Sequence, residues 1–275
     1  MAESAMQKQY RQEFIAGFEK GQSLARRSVT TETVIKGNEA VFLVADTGGA
    51  EAVTRGLNGD IPTRPDNLNQ FTATLREWHD VPERTNFNIF ASQGDGRRIM
   101  QSGTRKVINR KIDADIHAEL GNATLNWGAA QTAGILNVTK AKTMLANNFA
   151  DDEMPFALIT PAYHGYLMQL DQFTSVDYVN MKPFEGVSKS QAFSWYGVNW
   201  IVDAGLPGAG TASASCYMYS RSAIGHAMNV GDTSVVIGYD DKNDKSWARC
   251  SGFFGSKLLQ NSGVIAMPHD DSALS

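Results

Sequence analysis

Cysteine is scarce in this sequence, with only Cys216 and Cys250 in 275 residues. Their separation fits neither a metal-binding motif nor a disulfide framework, so we expect two small buried thiols in a reducing cytosol. The five histidines include no pair four residues apart and no zinc-hydrolase motif, and the chain has no Gly-x-Ser-x-Gly elbow of a serine hydrolase. These absences predict a protein that is not an enzyme and holds no metal or other cofactor.

An excess of positive charge is also missing. The chain carries 25 lysines and arginines against 29 aspartates and glutamates, a net charge of -4, so we expect no sequence-specific nucleic-acid site. No apolar run approaches the length of a membrane span, and the first residues lack the pattern of a signal peptide. With 42% hydrophobic and 20% charged residues, the composition predicts a globular protein of the cytoplasm without membrane contact.

The longest helical pattern covers residues 95–120. Ile108, Ile112, Ile116 and Leu120 recur at a spacing that places them on one apolar stripe of an α-helix. Charged residues lie within and beside this stripe, so the helix should contact polar groups as well as a core. Gly121 provides a stop, because glycine tolerates the left-handed conformation that ends a helix. At about 1.5 Å per residue the helix would be roughly 35 to 40 Å long, which makes it the spine of a domain.

Two strands separated by a long turn-rich segment precede this helix. Residues 40–45 are apolar and residues 71–78 alternate apolar and polar side chains, as strands do. The segment between them is rich in glycine, proline, asparagine and aspartate, which favour turns. A two-stranded ribbon is marginally stable alone, and a loop of this length is uncommon inside a compact domain. We therefore expect another chain to support the ribbon.

The rest of the chain predicts a mixed α+β body. An amphipathic helix is predicted at residues 5–24, with Tyr10, Phe14 and Phe18 on its apolar side. Further helices are predicted at residues 137–148 and 161–170, and from a serine cap at Ser220 to about residue 228. Strands are predicted at residues 155–160, 212–219, 234–238, 247–254 and 264–267, with short strands and turns over 176–202 and a solvated turn at 240–245.

Two acidic motifs allow a functional interpretation. Asp46-Thr-Gly48 after an apolar strand is the local signature of an aspartic peptidase, in which a homodimer brings two carboxylates together. The same tripeptide is also a simple turn, and here it opens a turn-rich loop, which favours the structural interpretation. Asp113 and Asp115 point about 200° apart on a helix and cannot chelate one ion, so we expect them to pair with arginines or lysines.

The order of these elements resembles the major capsid proteins of tailed bacteriophages, which have the Hong Kong 97-type fold. Three stretches are similar to the family: Arg110-Lys-Ile-Asp-Ala-Asp-Ile116 to its spine helix, Phe156-Ala-Leu-Ile-Thr-Pro-Ala-Tyr163 to a strand that leads into a helix, and Gly263-Val-Ile-Ala-Met267 to its terminal strand. The resemblance implies an N-terminal arm at residues 1–37, an extended β-hairpin loop at 38–86, a peripheral domain with the spine helix at 87–134 and 233–275, and an axial domain at 135–232.

The resemblance also implies a function and a set of partners. Copies would assemble as hexamers and pentamers into an icosahedral shell that encloses double-stranded DNA, contacted only non-specifically, with a portal protein at one vertex. The arm is too short to be the cleavable scaffolding segment of the founding members, so we expect a separate scaffolding protein. No lysine occurs between Lys36 and Lys106, so the loop tip cannot supply the amine of a covalent cross-link, and non-covalent locking with a decoration or cement protein is the hypothesis. Assembly would take place in the host cytoplasm, and the product would be the virion capsid.

Several residues are candidates for the contacts between subunits. The charged residues near the loop tip are candidates for inter-subunit ion pairs, and the apolar residues of the arm for packing on a neighbour: Arg55, Asp60, Arg64 and Asp66 in the loop, and Tyr10, Phe14 and Phe18 in the arm. Three other functions remain open at this point. They are an encapsulin-type nanocompartment shell of similar size and fold, a homodimeric aspartic peptidase that uses Asp46, and an isolated soluble binding protein.

Overall fold

The computed structural model describes residues 22–33, 37–46, 49–55, 59, 61–63, 67–85, 96–174, 188, 190–229 and 235–274. These residues form four α-helices: α1 (Gly96–Leu120), α2 (Ile135–Asn147), α3 (Pro161–Leu167) and α4 (Asp171–Thr174). They also form thirteen strands: β1 (Thr30–Thr33), β2 (Glu39–Asp46), β3 (Asn67–Thr74), β4 (Arg76–Asp80), β5 (Glu83–Thr85), β6 (Phe156–Ile159), β7 (Ala192–Trp195), β8 (Val198–Val202), β9 (Ala214–Tyr219), β10 (Ile224–Met228), β11 (Val235–Asp240), β12 (Lys245–Leu258) and β13 (Val264–His269). The predicted α+β class is confirmed.

The strands make three sheets. In the first sheet the long strand β12 pairs antiparallel with β4 and β5 and with β10 and β11, and β1 joins the outer side of β10 in parallel. The second sheet has the order β13-β9-β6-β8-β7, so the last strand of the chain pairs with β9. The third sheet is the ribbon of β2 and β3. The division into peripheral and axial domains at residues 135 and 233 stays a prediction.

The spine helix α1 lies on the first sheet. Ile108, Ile112, Ile116 and Leu120 are all buried, as their spacing predicts, and the helix packs against β12. The polar side of the stripe also has a partner, because Glu119 Oε2 accepts a hydrogen bond from the backbone N–H of Leu258 at 3.1 Å. The helix therefore combines an apolar face with polar contacts to the end of the strand beneath it.

The second sheet contains a strand that is buried along its whole length. All four residues of β6 are buried, with β8 on one side and β9 on the other. The next residue, Thr160, begins α3 as predicted: its hydroxyl accepts a hydrogen bond from the backbone N–H of Tyr163 at 3.2 Å, with Pro161 in the first turn. This capping satisfies a donor that the helix itself cannot. Because all four residues from 156 to 159 are buried, this short apolar run is covered on both faces of the strand.

The helix predicted at 161–170 ends at Leu167, and two other predicted elements were wrong in type or continuity. The helix predicted from Ser220 to residue 228 is a single 3-10 turn, Arg221–Ala223, followed by the fully buried strand β10. Pairing with β1 and β12 on both sides outweighs the weak helical pattern of this stretch. The strand predicted at 71–78 is two strands that break at Leu75, because β3 pairs with β2 whereas β4 pairs with β12.

Candidate assembly surface

The ribbon is attached to the body through one of its two faces. Ala40, Phe42 and Ala73 form a small apolar cluster with Ala227 of β10 and with Leu259. Two glycines of the first sheet, Gly225 and Gly255, make this close approach possible. The ribbon is thus fixed at its base by side chains that alternate along β2.

Glycine is required where the ribbon meets the first sheet. A Cβ atom on Gly225 would lie 2.8 Å from the Phe42 ring, and a Cβ atom on Gly255 would lie 2.2 Å from the carbonyl oxygen of Thr74. The second contact is with backbone, which cannot rotate away as a side chain can. The bare backbone of Gly255 therefore positions the point at which the chain leaves the ribbon and enters β4.

The opposite face of the ribbon, which we call the outer ribbon face, is apolar and exposed. Val41, Leu43 and Leu68 are 48%, 67% and 58% exposed. The register pairs Val41 with Thr72, Leu43 with Gln70 and Ala45 with Leu68, so all of these side chains project from the same side. Apolar side chains that line one side of a thin ribbon are typical of a surface that another molecule covers.

Only one of the predicted contact residues lies within the described part of the chain. Arg55 is exposed in the segment 49–55, which comes between β2 and β3 in the chain and in which Val53 is also exposed. The remaining candidates lie outside the described residues: Asp60, Arg64 and Asp66 of the loop, and Tyr10, Phe14 and Phe18 of the arm, together with residues 5–21 of the predicted arm helix. Their role in contacts between subunits stays a prediction.

The segment at residues 22–33 is anchored to the body by polar contacts. The Ser23 hydroxyl donates to Asp113 Oδ1 of α1 at 2.5 Å, and the hydroxyls of Ser28 and Tyr219 are hydrogen-bonded to each other. The Thr30 hydroxyl donates to the carbonyl oxygen of Arg221 at 3.1 Å. Strand β1 then extends the first sheet. The chain therefore enters the body across the spine helix and both large sheets.

Buried ionisable groups cluster around the spine helix. Burial raises the pKa of Asp115 above its usual value, and a hydrogen bond from Ser256 and the charges of Lys111 and Arg76 offset this rise only in part. Lys111 and Arg76 thus lie near enough to act on this carboxylate, and the predicted pairing of Asp113 and Asp115 with arginines or lysines stays a prediction. His117 follows Asp113 by four residues on the same helix and is also buried. Its Nε2 atom lies 3.4 Å from Asp203 Oδ2.

The chain end is held by a buried polar joint. The carboxylate of Asp271 accepts hydrogen bonds from the Thr160 hydroxyl and the Gly210 N–H, each at 2.9 Å. His269 Nε2 accepts from the backbone N–H of Ala133 at 2.9 Å, so its Nδ1 carries the proton and donates to Asp271 Oδ1 at 2.5 Å. Three separate segments of the chain meet at this carboxylate, and a fourth, at Ala133, is joined to it through His269.

The described residues offer little chemistry of the kind that enzymes use. They contain no group of three or more histidine, cysteine, aspartate or glutamate side chains placed to hold a metal ion. Asp46 is the last residue of β2, and Thr47 and Gly48 of the peptidase-like motif lie outside the described residues. Both cysteines are free and buried, as predicted, and burial raises the pKa of Cys216 to about 12. A search of the described helices found none that is long and apolar enough to cross a membrane.

Sequence reasoning missed the outer ribbon face, although a signal for it was present. The run Ala40-Val-Phe-Leu-Val-Ala45 is apolar at every position, whereas a strand with one solvated face alternates apolar and polar residues. Apolar residues on both faces predict a strand that is covered on both faces. Within the described part of the chain the side of Phe42 is covered, whereas Leu43 on the other side is exposed.

Comparisons with known proteins agree on the class of protein that this fold defines. Similar solved structures include one from Mycobacterium phage Che8 (TM-score 0.74, 12% identity, 97% of this chain and 98% of that chain), the capsid of the cyanophage P-SCSP1u (TM-score 0.67, 12% identity, 96% and 93%) and the capsid of a native GTA particle (TM-score 0.69, 11% identity, 94% and 93%). At these identities the likeness establishes the fold, which is that of phage capsids. No curated protein matches the sequence.

The family follows from the sequence itself. The model of the phage capsid protein family matches residues 2–271, nearly the whole chain. The chain belongs to the phage capsid protein family. It is a major capsid protein of the Hong Kong 97 type that forms the shell of the particle, which confirms the predicted family and fold. These findings identify a structural protein and give no support to the encapsulin-type alternative.

Proposed function

We propose that copies of this protein assemble as hexamers and pentamers into an icosahedral shell around double-stranded DNA, and that the outer ribbon face is covered by a neighbouring copy. The observation that carries the second part is the exposure of Val41, Leu43 and Leu68 on a ribbon whose other face is already packed. Fully burying a side chain of this size contributes about 1.5 to 3 kcal/mol. Repeated over a closed lattice, such contacts add up to a stable shell.

The proposal includes the residues and partners that the family resemblance implies. Arg55, Asp60, Arg64 and Asp66 make ion pairs between subunits, and Tyr10, Phe14 and Phe18 pack the arm on a neighbour. A separate scaffolding protein guides assembly in the host cytoplasm, a portal protein occupies one vertex, and a decoration or cement protein locks the shell. The DNA is held without sequence-specific contacts, in keeping with the net charge of -4. The protein is a structural component of the capsid shell and not an enzyme.

Replacing Leu43 by serine tests the role of the outer ribbon face. The side chain is exposed in the single chain, so its loss should change the free energy of unfolding by no more than about 0.5 kcal/mol. Shell formation should fall strongly, because each copy loses an apolar contact with its neighbour. Electron microscopy counts the shells, and sedimentation gives the fraction of chain in large particles.

Gln70→Ser is the matched control, since Gln70 pairs with Leu43 on the same face but contributes no apolar surface. It should assemble like the wild type. Equal shell yields from Leu43→Ser and the wild type would remove the outer ribbon face from the assembly mechanism. A wild-type chain that stays a small species at high concentration, with its scaffolding protein present, would contradict the shell itself.

A further inference from the structure

The end of α2 carries an unusual residue for its backbone conformation. The N–H of Phe149 donates to the carbonyl oxygen of Ala146 and the N–H of Ala150 donates to that of Leu145, both at 3.0 Å. This pair of bonds is the Schellman ending of a helix, and it places Phe149 in the left-handed region at φ 54°. Glycine is the usual residue there, because a Cβ atom crowds the neighbouring carbonyl oxygen. Phe149 therefore occupies a strained position.

Burial within the chain does not compensate for this strain. The Phe149 side chain is 85% exposed, whereas Ala150, the next residue, packs against the core. Tyr196 provides a comparison, since it is also an aromatic residue at positive φ, 55°. The Tyr196 ring makes a contact within its own chain, because Lys142 Nζ lies 5.0 Å from the ring centre. The same Nζ donates a hydrogen bond to the Tyr196 carbonyl oxygen at 2.9 Å. Phe149 is thus a strained aromatic residue that projects into solvent.

The surroundings of Phe149 are acidic and rich in hydroxyl groups. The residue lies at a cleft of about 250 Å³ that also includes Asp152, Glu153, Ser220 and Ser222. The two serine hydroxyls are 3.2 Å apart. An exposed aromatic side chain next to polar and charged groups has the composition of a contact surface, in which the aromatic residue is the anchor and the polar groups form the rim.

We infer that Phe149 and this acidic cleft form a contact with a second copy of the chain, with the ring buried against the neighbour and the carboxylates facing a basic side chain. The inference deepens the proposed function and rests on it, because in a shell the neighbours of each copy are other copies. The same chain exposes basic side chains that suit the cleft in charge, among them Arg105 of the spine helix. This contact is separate from the ribbon, which lies on the first sheet.

Replacing Phe149 by glycine tests the inference, because it should improve folding and impair assembly at once. Glycine removes the strain, so the melting temperature of the unassembled chain should rise by about 2 to 4 °C. Loss of one anchor side chain should raise the concentration needed for shell formation about tenfold. Phe149→Ala removes the ring without relieving the strain, so it should raise that concentration as much and leave the melting temperature nearly unchanged.

Tyr196→Gly is the matched control, since it removes an aromatic residue from a left-handed position that contacts its own chain. It should assemble at the wild-type concentration. If Phe149→Gly and Phe149→Ala both assemble at the wild-type concentration, the contact is refuted while wild-type shells still uphold the proposed function. If the wild type forms no shells under any condition, the proposed function fails and this inference fails with it.

Discussion

At the scale of single residues, His226 is a buried ionisable group, and among the described residues no carboxylate pairs with it to stabilise its protonated form. It lies in β10, with Nδ1 3.0 Å from the Ser256 hydroxyl and its ring 6.2 Å from that of Phe254. Burial, and then the positive charge of Arg26, lower the pKa of His226 to about 4. The folded chain therefore holds this imidazole neutral over a pH range in which an exposed histidine is charged.

This difference predicts that the chain loses stability as the pH falls. An unfolded histidine binds its proton near pH 6.5, whereas His226 in the folded chain binds it only near pH 4. Between these values the unfolded state holds more protons, so stability declines as the pH is lowered, by about 2 kcal/mol at pH 5. Urea unfolding of the unassembled chain at pH 7 and pH 5 measures this loss.

His226→Gln provides the reference for that measurement, since glutamine cannot take up a proton. Whatever its stability at pH 7, its decline between pH 7 and pH 5 should be smaller than that of the wild type by about 2 kcal/mol. The other buried histidines, His117 and His269, are common to both chains. Equal declines in the two chains would show that His226 does not carry the effect.

At the scale of elements, the ribbon is positioned by the backbone of Gly255. A methyl group there would meet the Thr74 carbonyl oxygen at 2.2 Å, so Gly255→Ala should push the end of β3 away from β12. We expect the unfolding free energy to fall by about 1 to 3 kcal/mol and shell formation to fall with it, since the ribbon no longer projects at its native angle. Denaturant unfolding and electron microscopy measure the two effects.

Gly252→Ala, on the same strand, is the control for that prediction. A Cβ atom at Gly252 would make ordinary contacts with Phe254 and Ile108 at 3.4 and 3.5 Å. This variant should therefore keep both its ribbon position and its ability to assemble. If Gly255→Ala instead assembles as well as Gly252→Ala, the close approach at Gly255 does not set the ribbon geometry.

The elements also show which parts of the fold could be predicted from the sequence. The bounds of the spine helix were predicted to within a residue. The regular four-residue spacing of its apolar side chains fits a helix and does not fit a strand: Ile108, Ile112, Ile116 and Leu120. The stretch after Ser220 was predicted wrongly because Gly225 and Ala227 owe their strand conformation to β1 and β12, which are distant in sequence. Local patterns report local structure, whereas pairing partners come from the whole fold.

The assembly surface was predicted only in outline for a related reason. The turn-rich segment after β2 correctly indicated a two-stranded ribbon, and the described residues of that segment, Arg55 among them, are exposed. The exposed face itself depends on which side of β2 meets the body, and only the docking of Phe42 against β10 determines this. Phe149 was not predicted as a contact residue, because what distinguishes it is a left-handed backbone conformation that cannot be read from the sequence.

At the scale of the whole molecule, the shell should be held together without covalent bonds between copies. An amide cross-link through the ribbon tip needs a lysine amine, and residues 37 to 105 contain no lysine. A disulfide between copies is equally unsupported, because both cysteines are buried and burial raises the pKa of Cys216 to about 12, which keeps it as the unreactive thiol. The many weak contacts of the lattice must therefore supply the stability of the shell.

The absence of covalent bonds between copies can be tested by boiling mature shells in detergent. They should separate entirely into single chains that migrate at 30.0 kDa, with or without a reducing agent, because nothing but packing and ion pairs joins the copies. A ladder of dimers, pentamers and hexamers that survives both conditions would show a covalent bond through another lysine. A ladder that disappears on reduction would instead show that Cys216 or Cys250 becomes accessible as the shell matures.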